Sequence, residues 1–179
     1  MYRTHPKNMS NNVVQEGTSN WFLTHLLDEF PLRPPSFVLS CNQLKLQPKR
    51  NEFIYIVNLS PSGNPGSHYV VLLRRKEKAR ARRHLLYIDP LGEYSHPTDD
   101  VPNFLDKYTK EYGDEEKRLS RPVQHPHSIK CAFFCLFYAY LEFGDINHLH
   151  LTRFKKDNLE ENDCIVMENL SKIFMSYYE

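Results

Sequence analysis

The chain has 179 residues, of which 40% are hydrophobic, and its formal net charge at pH 7 is +1. This length fits one domain with a sizeable core, and a charge near zero does not imply a polyanion as the main partner. No apolar run approaches the roughly 20 residues of a membrane span, and the amino terminus lacks a signal-peptide pattern. Four scattered cysteines are too few for a disulfide framework, so we expect free thiols in a reducing compartment.

Residues 1–17 are polar and rich in Asn, and we interpret them as a flexible N-terminal arm. The rest of the chain, residues 18–179, is predicted to form a single domain. Ser19 or Asn20 can cap a first short helix, which ends before Pro31 because proline cannot continue a helix.

Three segments rich in β-branched and aromatic residues predict strands. Residues 53–57 are apolar on both faces, which is typical of a buried strand. Residues 68–73 and 85–88 form a predicted hairpin, with His68 at its start and Asp89 directly after its end. In an antiparallel pair these two positions lie side by side, so we expect His68 and Asp89 at the same edge of the sheet.

A wholly apolar segment begins at Cys131 and predicts a buried helix over about residues 129–143. Ser128 is a good N-cap residue and Gly144 a natural C-cap. Cys131 then lies in the first turn, where the positive end of the helix dipole favours a thiolate and nucleophilic sulfur. A buried structural cysteine is the alternative explanation.

A last helix is indicated from about Asn158, because apolar residues recur there near helical spacing. The predicted fold is therefore α+β, with a mixed sheet of about five strands. We expect the Cys131 helix to be buried against this sheet and the other helices to flank it.

Three stretches of the sequence carry a resemblance to a known family. They are Ile56-Val57-Asn58 with a glycine turn and His68, then Tyr87-Ile88-Asp89-Pro90-Leu91-Gly92, and finally Val123-Gln124-x-Pro126-x-Ser128-x-x-Cys131. Together they resemble the adenovirus-type maturation cysteine proteases (adenain-like), whose clan includes the ubiquitin-like-protein proteases. The order His, Asp, Gln, Cys differs from that of papain-like enzymes, in which Cys precedes His.

The resemblance implies a cysteine endopeptidase in which Cys131 is the nucleophile, His68 the base and Asp89 the residue that orients it. Gln124 and the backbone N–H of Cys131 would form the oxyanion hole. The implied substrates are viral or virus-like precursor (capsid) proteins, cut at glycine-containing sites within the virion or the host cell interior. Removal of ubiquitin-like modifiers is the alternative activity that the same resemblance allows.

Several positions depart from the family pattern. Ala132 stands where glycine is common, and Tyr69 where tryptophan is common, so we expect effects on rate and specificity. Asp89 stands where adenoviral enzymes tend to have glutamate. Residues 93–123 contain no cysteine, which argues against a disulfide-tethered peptide activator in that region. No cofactor is implied as a requirement, with a peptide or DNA activator as the open alternatives.

A basic connection joins the two hairpin strands and holds seven Lys and Arg against one Glu. A solvated loop is one interpretation, and an electrostatic track for nucleic acid is the other, since adenoviral relatives are stimulated by viral DNA. The candidate DNA-binding residues are Arg74, Arg75, Lys76, Lys78, Arg80, Arg82 and Arg83.

A different hypothesis uses some of the same residues. His125, His127, Cys131 and Cys135 could be drawn as a small structural zinc site, because the two cysteines share a helix face. That hypothesis leaves His68, Asp89 and Gln124 unexplained. A catalytically dead relative kept as a binding module is a further alternative, against which the presence of all four functional groups argues.

Overall fold

The computed structural model describes residues 19–46, 52–64, 66–76, 83–119 and 121–178. Five strands form one sheet, in which their order across the sheet follows their order in the chain. The strands are β1 (Ser36–Ser40), β2 (Phe53–Asn58), β3 (Tyr69–Lys76), β4 (Arg83–Ile88) and β5 (Glu115–Leu119). The two outer strands run parallel to their neighbours, whereas β2, β3 and β4 are antiparallel. The predicted α+β fold with a mixed sheet of five strands is confirmed.

Within the described residues, four α-helices cover the two faces of this sheet. They are α1 (Asn20–Glu29), α2 (Asp100–Tyr112), α3 (Cys131–Phe143) and α4 (Leu159–Ser176). Helices α1, α3 and α4 share one hydrophobic cluster with one face of the sheet, and α2 packs on the other face. In the described part of the chain, no helix is both long and apolar enough to cross a membrane. The predicted N-terminal arm lies outside the described residues.

Strand β2 shows why the sheet needs helices on both sides. Ile54 and Ile56 face the cluster that holds α3, while Phe53, Tyr55 and Val57 face the cluster that holds α2. Successive side chains of a strand point to opposite faces, so a strand that is apolar at every position must be covered twice. The prediction of a buried strand over this segment is confirmed, since all six of its residues are buried.

Three elements, β1, α2 and β5, were not foreseen from the sequence. Helix α2 buries Val101, Phe104, Leu105 and Tyr108, a stripe at helical spacing, and ends at Gly113 in the left-handed conformation. Strand β5 has the sequence Glu-Glu-Lys-Arg-Leu and lies at the sheet edge, where charged side chains discourage pairing with another chain.

Arg74 lies in the interior of the protein, and its place among the DNA-binding candidates is wrong. Its side chain is fully buried on β3 and makes a two-point ion pair with Asp114, with Nε to Oδ2 at 2.6 Å and Nη2 to Oδ1 at 3.1 Å. Its guanidinium group also lies 5.3 Å from the ring centroids of Tyr108 and Tyr112. A guanidinium held in this way cannot reach a phosphate in solvent.

The other members of the basic connection differ from Arg74. Arg75 is exposed and pairs with Glu142 on α3. Lys76 and Arg83 pair in register at the end of the hairpin away from His68 and Asp89. Lys78, Arg80 and Arg82 lie outside the described residues. Their contact with nucleic acid stays a prediction.

Candidate active site

The β3–β4 hairpin brings an imidazole and a carboxylate together at one edge of the sheet. Its register pairs Val71 with Ile88, so His68 comes just before the first strand and Asp89 just after the second. The Nε2 atom of His68 lies 2.7 Å from Oδ1 of Asp89, although 21 residues separate them in sequence. The two side chains meet where the antiparallel pairing predicted.

The carboxylate of Asp89 is buried and accepts hydrogen bonds on both of its oxygens. Oδ1 accepts from the backbone N–H of Leu91 at 2.9 Å, and Oδ2 accepts from the hydroxyl of Tyr87 at 3.2 Å. Burial and the neighbouring carboxylate raise the pKa of Tyr87 well above its usual value, so this hydroxyl keeps its proton and donates. Tyr87 was not predicted from the sequence as a site residue.

Helix α3 begins at Cys131, whose thiol lies close enough to His68 to interact with its imidazole. Because Nε2 of His68 is engaged by Asp89, Nδ1 is the ring nitrogen that remains for the thiol. Burial lowers the pKa of His68, but the interactions with Asp89 and Cys131 raise it by a larger amount. The net result is a pKa of about 9. At neutral pH the imidazole therefore holds two protons, one toward the carboxylate and one toward the sulfur.

The start of α3 differs from the predicted one by two residues. Its N-cap is Lys130, and the Ser128 hydroxyl accepts from the backbone N–H of Lys130 at 3.1 Å in the turn before the helix. Cys131 is thus the first helical residue. The first four N–H groups of a helix have no acceptor within it, so the N–H of Cys131 is available to an oxygen in the cleft.

Gln124 is buried beside this helix start, and its loop is attached to the residue that follows Asp89. The backbone N–H groups of Val123 and Gln124 both donate to the carbonyl oxygen of Pro90, at 2.9 and 3.0 Å. Nε2 of Gln124 donates to the Ser128 carbonyl at 2.8 Å. Since a carbonyl can only accept, this bond fixes which end of the amide is nitrogen. One N–H of the amide remains, and Oε1 is buried without a hydrogen-bond partner.

Tyr69 and Ala132 occupy positions that the sequence analysis associated with substrate. Tyr69 is buried, and its hydroxyl donates to Oδ1 of Asn20 on α1 at 2.7 Å. Ala132 is also fully buried in the core cluster. Its methyl group packs inside the protein, and the expected effects of Ala132 and Tyr69 on rate and specificity stay predictions.

The zinc hypothesis lacks a geometric basis in the described residues, where no group of three or more His, Cys, Asp or Glu side chains could hold a metal ion. The thiol of Cys131 interacts with the imidazole of His68. The thiol of Cys135 donates to the Tyr69 carbonyl at 3.3 Å, and burial raises its pKa well above the usual value. A thiol that resists losing its proton is a poor metal ligand.

The sequence matches no known protein family and no curated protein. Among solved structures, similarity is found to the ASFV pS273R protease, with 16% identity, a TM-score of 0.49, and coverage of 69% of this chain and 44% of that one. AvrA with IP6 and CoA shows 18% identity, a TM-score of 0.49, and coverage of 80% and 54%. ChlaDub1 from Chlamydia trachomatis shows 16% identity, a TM-score of 0.34, and coverage of 68% and 63%.

The chain spans about half the length of the first two of these structures. Similarity this low decides neither activity nor substrate, so both must be argued from the residues of the chain itself. Those residues place a thiol, an imidazole, a buried carboxylate and a side-chain amide near the start of α3 at one edge of the sheet. Such a set can generate a sulfur nucleophile, move a proton and bind a developing negative charge on oxygen.

Proposed function

We propose that the chain is a cysteine endopeptidase that cleaves viral or virus-like precursor (capsid) proteins at glycine-containing sites. The observation that carries the proposal is that one imidazole, that of His68, is bonded to the Asp89 carboxylate and also interacts with the Cys131 thiol. An imidazole held by a carboxylate in this way is oriented and kept basic, as a thiol nucleophile requires.

The first half of the reaction uses this arrangement directly. The thiolate of Cys131, whose proton has passed to Nδ1 of His68, attacks the carbonyl carbon of the scissile peptide, and the carbonyl π electrons move to the oxygen. When the tetrahedral intermediate collapses, the C–N bond breaks and the leaving amine takes the proton on Nδ1 of His68. This step leaves a thioester on Cys131 and a neutral imidazole.

In the second half, water replaces the leaving amine. His68 removes a proton from the water as its oxygen attacks the thioester carbon. Collapse of the second intermediate breaks the C–S bond, releases the carboxylic acid and restores the thiolate and the protonated imidazole. Asp89 keeps its charge throughout and stabilises the imidazolium, which gives up its proton in the first half of the cycle and is formed again in the second.

The negative oxygen of both intermediates needs donors that are already aimed at it. The remaining N–H of Gln124 and the backbone N–H of Cys131 are the two donors that we assign to this role. One such donor typically contributes about 10²–10³ in rate. The Gln124 amide suits this because its other N–H is fixed on Ser128.

The recessed position of the site supports a preference for small residues next to the cut. Cys131 is 8% exposed, Asp89 2% and Gln124 1%. A substrate chain must bring its carbonyl carbon to a sulfur that hardly reaches the surface, and a glycine lets a backbone approach most closely. Modifiers that end in glycine fit the same recess, so removal of ubiquitin-like modifiers is the second candidate function.

The test of the peptidase proposal compares three variants on glycine-containing precursor peptides. Cys131→Ala and His68→Ala are expected to abolish cleavage while circular dichroism shows an unchanged fold. Cys164→Ser is the matched control, because Cys164 is an exposed thiol on α4. Full cleavage by Cys131→Ala would show the assignment of the nucleophile to be wrong.

The choice between the two substrate classes requires a separate assay. Wild-type protein is incubated with capsid-type precursor peptides and with conjugates of ubiquitin-like modifiers at equal concentration. We expect the larger kcat/KM for the precursor peptides. Turnover of the conjugates alone would replace the first proposal by the second without changing the assigned residues.

A further inference from the structure

The C-terminal helix reaches the candidate oxyanion loop through one buried side chain. Asn162 on α4 is fully buried, and its Nδ2 donates to the carbonyl oxygen of Val123 at 2.8 Å. The same side chain also binds both backbone groups of Lys155. Its Nδ2 donates to the Lys155 carbonyl at 3.1 Å, and its Oδ1 accepts from the Lys155 N–H at 2.7 Å. All three contacts are to backbone groups.

A second asparagine on the same helix shows which of these contacts is special. Asn169 lies two turns further along α4 and binds both backbone groups of Thr152. Its Nδ2 donates to the Thr152 carbonyl at 2.8 Å, and its Oδ1 accepts from the Thr152 N–H at 2.9 Å. Both asparagines therefore attach the segment before α4 to the helix. Only Asn162 has the additional bond to Val123.

The additional bond acts on the peptide group between Val123 and Gln124. A peptide group is planar, with its C=O and N–H on opposite edges. Here the C=O is bound by Asn162, and the N–H is bound by the carbonyl of Pro90. With both edges held, the plane cannot rotate about the line that joins the two Cα atoms. This fixes the direction in which the Gln124 side chain leaves the backbone.

We propose that Asn162 is a positioning residue for the oxyanion donor Gln124. The inference rests on the proposed function, because it assigns Asn162 to the same reaction. Asn162 touches neither substrate nor a reacting atom and acts through the Val123–Gln124 peptide group. A misplacement of about 1 Å in a catalytic group costs on the order of 10² in rate, so loss of this bond is expected to be visible in kcat.

The kinetic test uses the two asparagines as a matched pair. Asn162→Ala is expected to lower kcat by about 10- to 100-fold with KM changed by less than about threefold. Asn169→Ala loosens the same segment without touching the oxyanion loop, and its kcat is expected within about threefold of wild type. Equal losses in both variants would overturn the proposal and assign Asn162 a structural role only.

A double variant tests whether the effect passes through Gln124. Once Gln124→Ala has removed the donor, Asn162→Ala has nothing left to position and is expected to cost less than about threefold more. A full additional loss in that background would overturn the proposal. Alkylation of Cys131 by iodoacetamide forms no tetrahedral oxyanion, so its rate should be the same in Asn162→Ala and wild type.

Backbone hydrogen exchange separates this inference from the proposed function. The Gln124 amide proton is expected to exchange faster in Asn162→Ala than in wild type or Asn169→Ala. An unchanged exchange rate would overturn the positioning role even in an active protease. If the wild-type chain hydrolyses no peptide, the proposed function is wrong. Faster exchange in Asn162→Ala would then show a structural effect without a consequence for catalysis. If Asn162→Ala does not fold, Asn162→Asp keeps the volume and the acceptor oxygen while removing the N–H donors, with Asn169→Asp as its control.

Discussion

The hydroxyl group of Tyr87 donates a hydrogen bond to Oδ2 of Asp89, two residues further along the chain. Residues two apart in an extended segment lie on the same side, so the strand itself delivers this donor to the acid. His68 and the Leu91 N–H occupy the other carboxylate oxygen. Tyr87 thereby limits the rotation of the carboxylate that orients the imidazole.

Tyr87→Phe is expected to lower kcat/KM by about tenfold, the effect of losing about 1.4 kcal/mol in the transition state. The ring stays in place and one oxygen of Asp89 remains bonded to Leu91, so the loss should be partial. Tyr108→Phe is the control, because the Tyr108 hydroxyl is buried without a partner and away from the cleft. Equal kcat/KM in Tyr87→Phe and wild type would contradict the orienting role.

The pH dependence of cleavage should follow the proton on His68. Burial lowers the pKa of His68 and its bonds to Asp89 and Cys131 raise it to about 9, so kcat/KM is expected to fall as the pH rises through about 9. Asp89→Asn removes the negative charge and leaves the effect of burial. Its alkaline limb should therefore lie at lower pH, as a pH–rate profile of both proteins would measure. An alkaline limb at the same pH in both would exclude His68 as its origin.

The same shift predicts a stability difference with a defined sign. The pKa of about 9 in the folded protein exceeds the ordinary histidine pKa of 6.5, so protonation of His68 stabilises the fold. This contribution is fully present below about pH 6.5 and is lost as the pH rises through about 9. The difference in melting temperature between wild type and His68→Ala should shrink over that interval. A constant difference would argue against the raised pKa.

Gln124→Leu should separate activity from stability. Because Oε1 of Gln124 is already buried without a partner, an apolar replacement of similar size removes an unfavourable burial along with one hydrogen bond. We expect the free energy of unfolding to change by less than about 1 kcal/mol, while kcat falls by about 10²–10³. Urea denaturation and peptide hydrolysis measure the two quantities. Unaltered kcat would remove Gln124 from the oxyanion hole.

Two neighbouring arginines on β3 offer a comparison of buried and exposed ion pairs. Asp114→Ala leaves the Arg74 charge buried and unpaired, and is expected to cost about 3–5 kcal/mol of unfolding free energy. Glu142→Ala breaks the exposed pair with Arg75 and should cost less than about 1 kcal/mol. Equal costs from denaturant titrations would show that burial does not decide the contribution of these pairs.

The sequence predicted the elements whose signals are local. Ser19 caps α1 and Asn158 caps α4 through their side chains, as their residue types indicate. Helix α3 and strand β2 could also be predicted from their own residues, because each is an uninterrupted apolar segment. The sequence did not predict β1. This strand has only five residues, most of them half-buried, and its parallel pairing with β2 leaves no local pattern in the sequence. The stripe of α2 was readable and was overlooked.

The candidate site also contains some residues that the sequence could predict and others that it could not. His68 and Asp89 could be brought together from the hairpin alone, because pairing fixes which strand ends are neighbours. The contact of Asn162 with Val123 joins residues 39 apart across two elements, and no spacing in the sequence encodes it. Tyr87 depends on a side-chain orientation that a sequence pattern does not specify. The start of α3 shifted because Ser128 bonds the backbone of Lys130 before the helix begins.

The carbonyl oxygen of Pro90 accepts two backbone N–H groups, those of Val123 and Gln124, and Pro90 directly follows Asp89. Pro90 and these two hydrogen bonds therefore tie the acid to the loop that carries the proposed oxyanion donor. A signal that withdrew this whole loop from Asp89 would have to break both bonds. We therefore expect any latency of the proposed protease to come from a segment or partner that keeps substrate away from Cys131.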